Sequence, residues 1–202
     1  MKFYKKKTDI NIKKTKLFNT LMKSKMMYGE TIKKTKSEVL PFLYGTRHNY
    51  TIININYTVS LIVRLFKFLK DFKSLNKKIL IIGNSLDIQF MINNELYKNN
   101  ESIVYFNKSW KHGLITNMSV FNKNRDKIVG ESVAKKEIQL IIILKSTLHE
   151  PILLKELKNI NAPIIAITTT SSNLKNIQFP FISSSNNIKA LYTLLYVFRK
   201  LI

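Results

Sequence analysis

Three short apolar runs constrain this chain most: Ile79-Leu-Ile-Ile-Gly83, Ile138–Leu144 and Pro163–Thr168. A half-exposed strand alternates apolar with polar residues. A run that is apolar almost throughout is instead what a parallel strand buried on both faces requires. Tyr50–Ile55 and Ser102–Phe106 read as further short strands rich in β-branched and aromatic residues. Between them the period changes. Thr58 can cap a helix whose apolar stripe is Ile62, Leu65, Phe66, Leu69 and Phe72. Ser85 opens a second helix, to about Lys98, and Pro151 is tolerated in the first turn of a third, with Leu153, Leu154 and Leu157 on one face. Ile188–Leu201 closes the chain as a helix with Leu191, Leu195 and Phe198 on one side. Strand and helix alternate, so the expected fold class is α/β: a three-layer sandwich of parallel strands joined by crossover helices.

Charge decides what such a body can meet. Lys and Arg total 34 against 12 Asp and Glu, a formal net charge of +22. That excess repels itself unless a polyanion neutralises it. Nucleic acid is the favoured partner, because each phosphate contact releases a condensed counterion. No stretch reaches the roughly 18 uninterrupted apolar residues of a spanning helix, so no membrane partner is expected. Residues 1–36 carry twelve Lys against Asp9 and Glu30. They read as a basic N-terminal arm with a short helix near 17–27, leaving 37–202 as a single α/β domain.

Only Arg47, Arg64, Arg125 and Arg199 are Arg; the other basic residues are Lys, and Asn and Ile are abundant. That mixture points to an AT-rich genome of organellar type. The start, Met1-Lys-Phe-Tyr-Lys-Lys-Lys, has no apolar secretory core and no Arg- and Ser-rich transit character. The chain is therefore expected to be made where it works, in the mitochondrion, with the plastid as the alternative.

Catalytic chemistry finds little support. Without Cys there is no disulfide, thiolate zinc site or thiol nucleophile. Ile81-Ile-Gly-Asn-Ser85 lies at a strand-to-helix turn, where open α/β sheets bind ligands, but it has neither phosphate-loop glycine spacing. His48, His112 and His149 are far apart and lack short-spaced metal-binding partners. None of Asp9, Asp71, Asp87 and Asp126 follows an expected strand, and Glu150 at a helix start compensates the helix dipole. No cofactor, metal or small-molecule substrate is expected. A nucleotide-dependent enzyme on a doubly wound sheet is the rival reading, and a free-standing RNA-binding protein is a third.

Two loops have an RNA-binding character. Leu40-Pro-Phe-Leu-Tyr-Gly-Thr-Arg-His-Asn-Tyr50 is a tight aromatic turn presenting Arg47 and His48. Asn107–Asn117 interleaves the sole Trp, Trp110, with Lys108, Lys111 and His112, and adds Thr116 and Asn117 as hydrogen-bonding groups. Cations contact phosphates and aromatics stack on bases. For Trp110, packing on the sheet edge competes with stacking.

At these loops the chain resembles a known family. Tyr44-Gly-Thr-Arg-His-Asn-Tyr-Thr-Ile-Ile-Asn54, with Thr58 following, is similar to the Tyr-Gly-x-Arg-Asn-Gly-x-x-Ile-Ile-Asp…Thr stretch of bacterial-type small-subunit ribosomal protein S2. Trp110-Lys-His-Gly-Leu-Ile-Thr-Asn117 looks like its Trp-Leu-Gly-Gly-Thr-Leu-Thr-Asn. Ile79–Gly83 matches the strand before its second helix, and Ala162-Pro-Ile-Ile-Ala-Ile-Thr-Thr-Thr170 its Ile-Pro-Val-Ile-Ala-Ile-Val-Asp-Thr. Phe179-Pro-Phe181 parallels its Tyr-Pro-Ile. The matches keep the family's order from about Leu21 onward.

The resemblance implies a flavodoxin-like parallel sheet flanked by helices. It also implies binding to small-subunit rRNA where head and body meet, neighbouring ribosomal proteins, no cofactor and no catalysis. Bacterial members insert a long helical hairpin after the Thr-Asn motif. Only residues 119–137 are available here, so that hairpin is expected to be absent or strongly reduced. The family's acidic positions near Thr169 and Ile182–Ser185 are also replaced. The expected function is that of a structural constituent of an organellar small ribosomal subunit. The expected RNA contacts are Lys5, Lys6, Lys7, Lys13, Lys14, Lys16, Lys33, Lys34, Lys36, Arg47, His48, Lys108, Trp110, Lys111, His112, Thr116 and Asn117.

Overall fold

A computed structural model describes residues 14–73, 78–83, 103–106, 113, 138–144, 150–184 and 187–201. The helix expected from Ser85, the loop and connection between Asn107 and residue 136, and the segment where a reduced hairpin is expected lie outside the described residues, Gly113 excepted.

Five strands form one parallel sheet: β4 (Lys78–Ile82), β5 (Ile103–Phe106), β6 (Ile138–Ile143), β7 (Ile164–Thr168) and β8 (Phe179–Ile182), in the order β5-β4-β6-β7-β8. Renumbered from its first strand, this sheet is ordered 2-1-3-4-5, the flavodoxin-like doubly wound arrangement. Alternation along each strand divides the core. Ile79, Ile81, Leu140, Ile142, Ile165, Ile167 and Phe181 face one layer. Leu80, Ile82, Val104, Phe106, Ile141, Ile143, Ile164 and Ala166 face the other. Gln139 is an extra residue of β6 with no partner on β4, since Lys78 pairs with Ile138 and Ile79 with Leu140. That irregularity puts Ile138 and Leu140, two residues apart, on opposite faces.

One face is covered by α1 (residues 14–23), α2 (Ile55–Lys73) and α4 (Ile188–Leu201), the other by α3 (Glu150–Leu157) with buried Leu153, Leu154 and Leu157. Pro151 is indeed in the first turn of α3, and α4 has the bounds the periodicity predicts. α4 also buries Ala190 and Leu194 beside Leu191 and Leu195.

Several local expectations need correction. The first strand after the aromatic turn stops at Ile53, because Asn54, not Thr58, caps α2: its side-chain oxygen accepts the Tyr57 N–H at 3.3 Å. Thr58 is buried one turn into the helix and donates to the Asn54 carbonyl. Phe66, placed on the apolar stripe, is half exposed, while Val59 and Leu61 are buried. β8 was not expected from sequence. It is a sheet edge, where Pro180 without an N–H is tolerated.

Ahead of α2 lies a second, antiparallel sheet: β1 (Tyr28–Thr31), β2 (Leu43–Arg47) and β3 (Tyr50–Ile53), in the order β1-β3-β2. Val39 and Ile53 pack on Ile182 and so join this sheet to the end of the parallel one.

Candidate nucleic-acid interface

From Lys14 onward, the described N-terminal cations stand on regular elements, their caps and defined turns. α1 ends in a left-handed residue, Lys25 (φ 57°). The Lys25 N–H donates to the Met22 carbonyl and the Met26 N–H to the Leu21 carbonyl, the pair of bonds that defines a Schellman termination. Its usual hydrophobic partners are here Leu21 and Met26, both fully buried in the main core. Asn187 holds this turn from the other end of the chain. Its Nδ2 donates to the Ser24 carbonyl at 2.7 Å, and its Oδ1 accepts the N–H groups of Lys189 and Ala190 to cap α4.

β2 and β3 are joined by only His48 and Asn49, both with positive φ (47° and 64°), as a type I′ hairpin requires. Most of the segment expected to be an aromatic turn is therefore strand. The turn itself is two residues long and sets Arg47 opposite Tyr50. Asn-Gly is the pair best suited to such a turn, and His48-Asn49 occupies the Asn-Gly position of the resembling motif.

Thr170 fastens the two sheets. Its Oγ1 accepts the Glu30 N–H at 2.9 Å and its carbonyl accepts the Lys36 N–H at 3.1 Å. Beside it, the buried Thr51 hydroxyl donates to the Glu30 carbonyl at 2.9 Å. Glu38 Oε2 accepts the Leu174 N–H at 2.9 Å, so this carboxylate also serves the junction.

Lys14, Lys16, Lys33, Lys34, Lys36, Arg47 and His48 are all exposed, as phosphate contacts must be. Lys23 and Lys25, not singled out from sequence, are exposed as well; their signal was the density of Lys in the arm. Lys5, Lys6, Lys7, Lys13, Lys108, Trp110, Lys111, His112, Thr116 and Asn117 lie outside the described residues. Of the second loop, Gly113 is buried in a left-handed conformation (φ 87°). Its N–H donates to Oε1 of the buried Glu156 of α3 at 2.6 Å.

At the topological switch point between β4 and β6, the Gly83 N–H donates to the Phe106 carbonyl and the Gly83 carbonyl accepts the Tyr105 hydroxyl at 3.2 Å. Burial pushes Tyr105 up from 10.0 to about 12. The Gly83 amide, which a phosphate would need, is thus committed to the sheet. Among the described residues, no group of three or more His, Asp or Glu side chains could hold a metal. Nor is any described helix long and apolar enough to cross a membrane.

Sheet order and charge together define a basic, flavodoxin-like α/β protein. The family profile described as "Ribosomal protein S2" matches residues 21–140, more than half of the chain, and the chain belongs to that family. Similar proteins include the "Small ribosomal subunit protein uS2" of Karelsulcia muelleri, 25% identical over 201 residues covering 83% of this chain and 90% of the relative. That of Ehrlichia chaffeensis is 22% identical, covering 85% and 70%. That of Pseudoalteromonas translucida is 21% identical, covering 86% and 85%. Family membership makes the chain a structural component of the small ribosomal subunit and not an enzyme, which sets aside the nucleotide-dependent reading.

Proposed function

We propose that this chain binds small-subunit rRNA near the head–body junction of a mitochondrial ribosome, acting by charge neutralisation and shape recognition. The observation that carries the reading is the exposure of every described cation from Lys14 to Arg47 on a chain with a net charge of +22. Each such group gains by displacing counterions from rRNA, so affinity falls steeply as salt rises. The expected contacts are Lys14, Lys16, Lys33, Lys34, Lys36, Arg47 and His48. To these we add Lys5, Lys6, Lys7, Lys13, Lys108, Trp110, Lys111, His112, Thr116 and Asn117 from the sequence. Neighbouring ribosomal proteins are the other partners. The Lys-, Asn- and Ile-rich composition supports an AT-rich organellar genome as its source. Sucrose-gradient sedimentation at moderate salt tests the assembly: the chain should travel with small subunits, and its recovery only at the top of the gradient refutes the reading.

A further inference from the structure

Every described cation named in the reading above is assigned to phosphate, yet the antiparallel sheet also exposes a face of another character. β3 is its central strand, and its side chains alternate: Thr51 and Ile53 are buried, whereas Tyr50 is exposed and Ile52 partly so. The strand register carries that outward face across all three strands. Thr31, Tyr50 and Arg47 form one row, and Tyr28, Ile52 and Gly45 form the next. Tyr28 and Tyr50 thus stand in adjacent rows of one surface, with the extra residue of a β1 bulge between the rows. Both are half exposed, at 50% and 54%. At Gly45, an added Cβ would meet nothing within 4 Å, so the space beside Ile52 is open to the backbone. Tyr44 is the extra residue of a bulge, since Leu43 pairs with Ile53 and Gly45 with Ile52, and it is 79% exposed. Bulges re-aim side chains in this way.

We infer that this face is a stacking platform for unpaired nucleotides of RNA, with Tyr28 and Tyr50 as the stacking rings and Arg47 as the phosphate or cation–π partner. The inference rests on the rRNA-binding reading above and adds the chemical form of the RNA and residues that the charge argument did not select. Charge complementarity chooses the occupant. Residues 23–50 hold six Lys and Arg against Glu30 and Glu38, and Glu38 is engaged at the sheet junction. An anionic ligand with planar apolar faces satisfies rings and guanidinium together. A base-paired helix satisfies only the guanidinium, because its base faces are already stacked.

The test uses the full chain with two probes, a short unpaired RNA oligonucleotide and an A-form RNA duplex carrying the same number of phosphates. The unpaired strand should bind about tenfold more tightly. Tyr28→Val and Tyr50→Val should each weaken it by about fivefold or more without changing the slope of log affinity against log salt. Tyr50→Phe, which keeps the ring, should retain affinity. Arg47→Ala should flatten the slope by about 0.7. Circular dichroism checks that each variant is folded. Equal binding of strand and duplex, or wild-type affinity in both folded valine variants, overturns the platform. If the chain still sediments with small subunits in that case, the ribosomal reading stands; failure to sediment is the separate result that refutes it.

Discussion

The Gly113 amide donates to Glu156 Oε1 at 2.6 Å across 43 residues of sequence, with both groups buried. It fixes a left-handed glycine in the Trp110–Asn117 segment to α3, on the side of the sheet opposite α1, α2 and α4. A hydrogen bond in a dry setting is stronger than one in water, and a buried amide left without its acceptor loses more than the bond itself. Glu156→Ala is therefore expected to destabilise the fold by about 1–3 kcal/mol in urea titration. Faster hydrogen exchange at Gly113 should accompany it. Unchanged stability and exchange would show that the tether is dispensable.

Gly29 is needed for a close approach. A Cβ there would overlap the Thr51 hydroxyl and come within 2.7 Å of the Thr170 methyl, the two side chains that tie the sheets together. Gly29→Ala should lower stability by about 1–3 kcal/mol, the usual range for overpacking. Thermal unfolding measures it, and a variant melting with wild type would mean that the junction can open at no cost.

Lys25 stands where helices commonly place glycine. A non-glycine residue in the left-handed region is strained by about 1–2 kcal/mol, so Lys25→Gly is expected to stabilise the chain by about 1 kcal/mol. Denaturant midpoints decide this. A lower midpoint would show that the lysine side chain supports the turn in a way that outweighs its backbone strain.

Legibility followed burial. β4, β6 and β7 are buried on both faces, and their apolar runs announce them. Amphipathic α4 was equally plain. β1 reads Tyr-Gly-Glu-Thr and β2 reads Leu-Tyr-Gly-Thr-Arg; their outward faces carry ordinary polar and aromatic residues and their glycines mimic turns. Pairing with β3, not local preference, makes them strands. β8 was hidden by Pro180 and by having only four residues. At the candidate interface, exposed lysines follow from composition alone. The tyrosine rows do not, because they depend on a register set by a two-residue turn and two bulges. The Asn54 cap was missed because Thr58, one turn later, is also a favoured capping residue type.

Tyr105 predicts how the sheet responds to alkali. Its folded pKa, raised to about 12, lies above the ordinary value of 10.0, so folding favours the protonated phenol. That contribution is complete below pH 10 and is lost as pH rises through about 12. Tyr105→Phe should flatten the fall in melting temperature across this window. It should also lower stability near neutrality by about 1 kcal/mol through loss of the bond to the Gly83 carbonyl. An unchanged alkaline profile would contradict the assignment.

The most direct trial of the account is quantitative mass spectrometry of small ribosomal subunits purified from isolated mitochondria of the source cell, washed at moderate salt. The account predicts this chain in the same molar amount as the other small-subunit proteins, with its basic N-terminal peptides crosslinked to rRNA. Washed subunits that lack it, while the folded chain is recovered free of RNA, would contradict it.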